Sequence, residues 1–132
     1  MLSVTSPTTF PKMPKGIPWA CISHGRTVNS APSQWKILSK GGRALDAVEA
    51  GVRIPEGDPA VSTVGYGGLP DRDGRVTLDA CIMNENADCG SVAFLENIMH
   101  PISVARMVME KTPHVMLVGN GAFRFAIDNG FK

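Results

Sequence analysis

The spacing of apolar residues changes several times along the chain. From Val76 to Met83, VTLDACIM, it is strictly two: Val76, Leu78, Ala80 and Ile82 point one way, Thr77, Asp79, Cys81 and Met83 the other. That period predicts a strand. Its second face is only partly polar, since Cys81 and Met83 suit burial, so layers are expected on both sides of the sheet. Asn84 to Cys89 reads as a polar turn, and Gly90-SVAFL as the returning partner strand of a hairpin. IPWACIS, residues 17–23, and HVMLVG, residues 114–119, are short apolar runs that predict buried strands.

Elsewhere the spacing is helical. Asn29-Ser30-Ala31-Pro32 is a start signal, a small polar cap followed by proline in the first turn. The helix it opens carries Trp35, Ile37 and Leu38 and stops at Gly41-Gly42. A second helix begins near Arg43 or Ala44, with Leu45, Val48 and Val52 on the buried face. Asp46 and Glu49 fall on other faces and read as solvated charge. Pro55-Glu56-Gly57-Asp58-Pro59 reads as the loop that ends this helix. Asn97 to Lys111 predicts a third helix, with Pro101 in its first turn and Ile102, Ala105, Val108 and Met109 inward; Thr112-Pro113 breaks it. GAFRFAIDNGF is a final helix with Gly130 as its cap. The order β-α-α-β-β-α-β-α, with a hairpin in the middle, implies an α/β chain with a mixed sheet covered by helices rather than a doubly wound parallel fold.

Composition narrows the function classes. The 132 residues make one domain, with a formal net charge of +1 and 43% hydrophobic content. Near-neutral charge removes the usual argument for nucleic acid or an anionic membrane as partner. No apolar run approaches the ~20 residues of a spanning helix. The N-terminal residues 1–16, MLSVTSPTTFPKMPKG, have no apolar core and read as a disordered leader rather than a signal peptide. Three cysteines, Cys21, Cys81 and Cys89, form no CxxC and no even framework. Cys21-x-x-His24 is the one metal-like spacing, and it lacks a second pair of ligands. Neither a metal nor a cofactor is therefore expected.

Local chemistry is sparse. Gly65-Tyr66-Gly67-Gly68 lacks the following Lys-Ser/Thr of a phosphate loop. Gly119-Asn120-Gly121 has Arg124 where a dinucleotide fingerprint needs its third glycine. His24, His100 and His114 are scattered, and G-x-S-x-G is absent.

Longer segments are more specific. SKGGRALDAVEAGV, STVGYGGLPDRDGRVTLDACIM, GSVAFLENIMHPISVARMVMEKTPHVMLVG and GAFRFAIDNGF closely resemble the N-terminal half of the glycosylasparaginase family, among the N-terminal nucleophile hydrolases. The match runs from about Trp35 to Lys132. The resemblance implies part of an αββα sandwich, with residues 17–132 as an α-subunit-like half. It also implies an amidohydrolase acting on the side-chain amide of N4-(β-N-acetylglucosaminyl)-L-asparagine. Such enzymes mature by self-cleavage at an Asp-Thr bond. The freed threonine is the nucleophile, and its own α-amino group is the base. The implied partner is a β subunit carrying that threonine, in an (αβ)2 assembly. Relatives are lysosomal or periplasmic.

No His-Asp-Thr occurs in these residues, so the chain is expected to hold no catalytic residue itself and to be an α subunit, a truncated precursor or a non-catalytic fragment. A stop straight after a helix cap also reads as a domain cut short or a subunit boundary. What the resemblance assigns here is support. Thr63 falls where the family carries a hydroxyl residue touching the nucleophile; a hydroxyl bonded to nearby backbone is the alternative. Gly65, Gly67 and Gly68 would let backbone pass close under the cleavage site, or make a tight turn only. The family's Thr-Trp-x-Phe at the end of the first strand is missing. His24 stands at the tryptophan and Arg26 at the phenylalanine, which makes both candidate substrate-entrance residues. Ser23-His24-Gly25 is instead similar to the isoaspartyl peptidase/L-asparaginase branch, the alternative substrate class.

Overall fold

The structure, a computed structural model, describes residues 30–132. The leader, the strand expected over residues 17–23, Cys21, His24 and Arg26 lie outside the described residues.

Helix α1, Ser30–Leu38, turns its Ser30, Gln34 and Leu38 inward, one every turn. Trp35 and Ile37 are only half-buried. Helix α2, Ala44–Gly57, runs through Pro55 and Glu56, where the sequence predicted a loop. Proline there forfeits one backbone bond, but the helix ends two residues later, so little propagation is lost. Leu45, Ala47, Gly51, Pro55 and Glu56 are its buried positions, and Val48, expected inside, is exposed.

Strand β1, Leu78–Met83, pairs antiparallel with β2, Cys89–Leu95. The turn between them is held by Asn84, whose Oδ1 accepts from the N–H groups of Asn86 and Asp88 at 2.9 and 3.0 Å. The hairpin has an irregularity between Leu78 and Ala80. Opposite it, Phe94 adopts a left-handed φ of 53°, and its N–H donates to Asp79 Oδ1 at 2.8 Å. Strand β3, Met116–Val118, then lies parallel to β2, giving a three-stranded sheet in the order β1-β2-β3. The α/β class with a mixed sheet is as the sequence implied, and is the kind of fold the N-terminal nucleophile hydrolases use.

Between β2 and β3 the chain forms α3, Pro101–Lys111. It starts four residues later than Asn97 because the residue before a proline is pushed out of the helical region: His100 has φ −120° and ψ 77°. Ile102, Val104, Ala105 and Val108 of α3 close the core with Ile82, Val92 and Leu95 of the sheet and Leu45 of α2. Helix α4, Gly119–Asp128, adds Ala122 and Ala126. It ends as expected at Gly130, whose φ is 85°. The Gly130 N–H reaches Ile127 O, and the Phe131 N–H reaches Ala126 O, the paired bonds of a left-handed cap.

The other face of the sheet departs from expectation. Cys81 and Met83 are exposed, as are Phe94, Met116 and Val118. The helix-covered face holds the buried core, the open face is largely exposed apart from Ser91, and β3 is a short, largely exposed strand rather than a buried one. No helix among them is long and apolar enough to cross a membrane.

Candidate functional site

The segment after α2 folds back on the helix end. Asp58 Oδ1 accepts from the Ala60 N–H at 2.9 Å, and Asp58 O from the Val61 N–H at 3.1 Å. Ser62 and Thr63 lead into a single 3-10 turn, Gly65–Gly67. The Gly68 N–H donates to Gly65 O and the Leu69 N–H to Ser62 O, each at 3.1 Å, so the segment closes on itself.

Thr63 stands exposed on this loop. Its hydroxyl has no hydrogen-bond partner among the described residues. Gly65 sits at φ +59°, and a Cβ there would lie 2.0 Å from Glu56 O and 2.3 Å from Glu56 Cα. Only glycine satisfies both the conformation and the contact. A Cβ on Gly67 would lie 2.4 Å from Val61 O, and one on Gly68 would lie 3.0 Å from Val76 Cγ1. The turn is thus closely approached by backbone. The backbone it meets is the chain's own, at the end of α2 and in the loop that follows.

Beyond the turn, Asp71 Oδ1 accepts from the Asp73 and Arg75 N–H groups at 2.8 and 3.0 Å. Those backbone bonds, Arg75's first, hold the Asp71 carboxyl below its usual range. A cleft of about 600 Å³ lies beside the turn, lined by Gly65, Tyr66, Arg75, Glu96, Asn97 and Met99 among others. Tyr66 is exposed at its edge. Among the described residues no group of three or more His, Cys, Asp or Glu is arranged to hold a metal.

Beneath the turn lies a residue that sequence reasoning missed. Glu56 is buried, with 2% of its side chain exposed. Its Oε1 accepts the Ile102 N–H at 3.1 Å, satisfying an orphan donor in the first turn of α3. Its Oε2 lies 3.3 Å from His100 Nδ1. Burial pushes the Glu56 carboxyl up to about 7, against the opposing pull of the Ile102 N–H and Arg53 and with help from the Glu49 charge. Burial and then Arg53 push His100 down, with Glu49 opposing. Both directions favour a neutral pair, in which a protonated Glu56 donates from Oε2 to His100 Nδ1.

Nor are Asp46 and Glu49 simply solvated. Arg106 Nη1 approaches Asp46 Oδ1 and Glu49 Oε2, each at 2.7 Å, and Arg106 Nε donates to Glu110 Oε1 at 2.8 Å. The Ser103 hydroxyl donates to Glu49 Oε1 at 2.5 Å and accepts from Arg53 Nη1 at 3.1 Å. This network ties α2 to α3.

Relatives place this architecture. The chain is 72% identical over 98 residues to an N(4)-(Beta-N-acetylglucosaminyl)-L-asparaginase of Elizabethkingia miricola, an overlap of 74% of this chain and 29% of that protein. It is 47% identical over 104 residues to the rat enzyme of the same name, covering 78% of this chain and 30% of the relative. A rat isoaspartyl peptidase/L-asparaginase is 43% identical over 110 residues, covering 83% of this chain and 32% of that protein. The chain thus spans about three tenths of the length of these curated relatives. The asparaginase family profile matches residues 25–132, and with 72% identity to a curated relative beside it, the chain belongs to the asparaginase family.

Proposed function

We propose that this chain is the α-subunit-like portion of an amidohydrolase that cleaves the side-chain amide of N4-(β-N-acetylglucosaminyl)-L-asparagine. The observation that carries the reading is Thr63: an exposed hydroxyl without a partner among the described residues, on a loop that Gly65 locks against α2. It occurs in a chain 72% identical to a relative bearing that enzyme name.

Hydrolysing an amide needs a nucleophile, a base and donors for the developing oxyanion. In this reading a threonine released by self-cleavage at an Asp-Thr bond supplies the first two. Thr63 orients it, its hydroxyl able to donate to the threonine oxygen or accept from its ammonium. Gly65, Gly67 and Gly68 hold that hydroxyl in place. The polypeptide carrying the threonine, a β subunit in an (αβ)2 assembly, packs over the exposed sheet face of Met83, Phe94, Met116 and Val118. Burying such a face is the largest favourable term available to the association.

The isoaspartyl peptidase/L-asparaginase relative covers more of this chain, 83%, than either glycosylasparaginase, which favours β-aspartyl peptides or asparagine as a second reading. One experiment separates the two. The protein, expressed as its gene encodes it, is assayed against a glycosylasparagine, a β-aspartyl dipeptide and asparagine. The first reading expects kcat/KM highest for the glycosylasparagine. A preference for the dipeptide supports the second, and turnover of none of them overturns both.

A further inference from the structure

Three segments meet at one carboxyl. Glu56 ends α2, its Oε1 takes the Ile102 N–H in the first turn of α3, and its Oε2 faces His100 just before that helix. Its backbone, in turn, is the surface on which Gly65 rests, so closely that no side-chain atom fits between them. Movement of the α2 end is therefore transmitted to the turn without slack, because backbone packed on backbone has no rotamer to absorb it. Thr63 stands two residues before the Gly65–Gly67 turn, and Tyr66 lies within it.

We propose that Glu56 is a positioning residue for the Gly65–Gly68 turn: by pinning the start of α3 to the end of α2, its side chain fixes the backbone on which that turn, and with it Thr63, is seated. The charged groups facing Glu56 are few. Arg53 and Glu49 come from α2 and His100 from the approach to α3, while the 3-10 turn presents none. A buried carboxyl with one positive and one negative neighbour changes state mainly by its own desolvation. As the acid it donates to His100 Nδ1 and accepts from Ile102. As the carboxylate it loses the donor, and His100 must present Nδ1–H instead. The pin thus has two hydrogen-bonding states, exchanged by one proton. The coupling concerns this fold alone; only its consequence for catalysis rests on the function proposed above.

Nuclear magnetic resonance on the protein, expressed as its gene encodes it, tests the coupling. The amide signals of Ile102, Gly65 and Gly67 are followed from pH 5 to 9 in the wild type, in Glu56→Gln and in His100→Gln. Glutamine keeps the acceptor for Ile102 and a donor for His100 but cannot titrate. The expected result is a common midpoint near neutrality for all three amides in the wild type, abolished by Glu56→Gln. In His100→Gln the three amides still titrate together. Glycine signals that stay still while Ile102 titrates overturn the proposal, as does a glycine titration that survives Glu56→Gln or disappears only with His100. The wild-type titration needs no variant to fold. Coupled titration in a protein with no amidase activity leaves this inference standing and removes the proposed reaction; uncoupled titration in an active amidase does the reverse.

Discussion

Replacing Glu56 by glutamine should make the protein more stable at alkaline pH and leave it nearly unchanged at pH 5. The carboxyl titrates near 7 in the fold against an ordinary value of 4.5. Between those values the native state holds a proton that the unfolded chain has released. Stability contributed by Glu56 is therefore fully present below pH 4.5 and is lost as pH rises through 7. At ~1.4 kcal/mol per pH unit, the loss from this one group reaches about 3 kcal/mol. Glutamine reproduces the protonated acid, accepting from Ile102 and donating to His100, with the same burial at every pH. His100 works in the opposite direction. Its proton affinity is lowered by folding, so its stability contribution is present above its ordinary value of about 6.5 and is lost as pH falls through its lower folded value. Both proteins share that term, so the difference between their curves isolates Glu56. The assay is urea unfolding of wild type and variant at pH 5, 7 and 8.5. The variant's midpoint should exceed the wild type's at pH 8.5 by on the order of 1–2 M and match it within about 0.5 M at pH 5. A variant less stable by the same amount at both extremes would refute the reasoning, because it would mean that Glu56 acts through its hydrogen bonds as an ion and not through its desolvation.

Three further outcomes are expected. Thr63→Ser should keep most turnover, while Thr63→Val should lose it roughly ten- to hundredfold at an unchanged melting temperature, the worth of one hydrogen bond to a reacting group; valine rates equal to wild type would make Thr63 dispensable. Gly65→Ala should cost about 3 kcal/mol or more, combining left-handed strain with a backbone collision, read as a drop in thermal midpoint; a midpoint within a degree of wild type would mean that the loop can move off α2. Met116→Glu, on the exposed sheet face, should weaken the association with the β subunit proposed above, read by sedimentation; association at wild-type strength would show that this face is not the one covered.

Elements governed by local chemistry were legible in the sequence. The hairpin followed from strict alternation and an asparagine turn, α3 from its proline and inward stripe, and the end of α4 from Gly130. The misreadings share a cause. Pro55 reads as a breaker, yet two residues from the helix end it forfeits one backbone bond and interrupts almost no further helix. With the end of α2 misplaced, Glu56 became a loop residue and dropped from view. Asp46 and Glu49 looked solvated because their partner Arg106 lies on another helix, far along the chain. Glu56 and His100 are separated by 44 positions. No periodicity reports such pairings, since they exist only after α3 has packed on α2. The Thr63 loop was legible as a motif, but the backbone that Gly65 rests on was not.

The bulge at Phe94 has a bearing on how the hairpin finds its alignment. In a sheet with one oily and one wet face, sliding one strand by a single residue is heavily penalised, because every side chain changes sides. Here that penalty is weak, since Cys81, Met83, Met116 and Val118 make the open face apolar too. Side-chain burial then distinguishes correct from slipped pairing mainly through the polar positions of the open face, Asp79 and Ser91. Further discrimination comes from two polar anchors at opposite ends of the hairpin: Asn84 folding the turn, and Asp79 capturing the Phe94 N–H where the ladder is interrupted. A slipped strand would leave Asp79 facing a residue whose N–H is already committed to the ladder. Two polar side chains thus sharpen an alignment that the apolar residues, more numerous and more strongly buried, specify less sharply on their own.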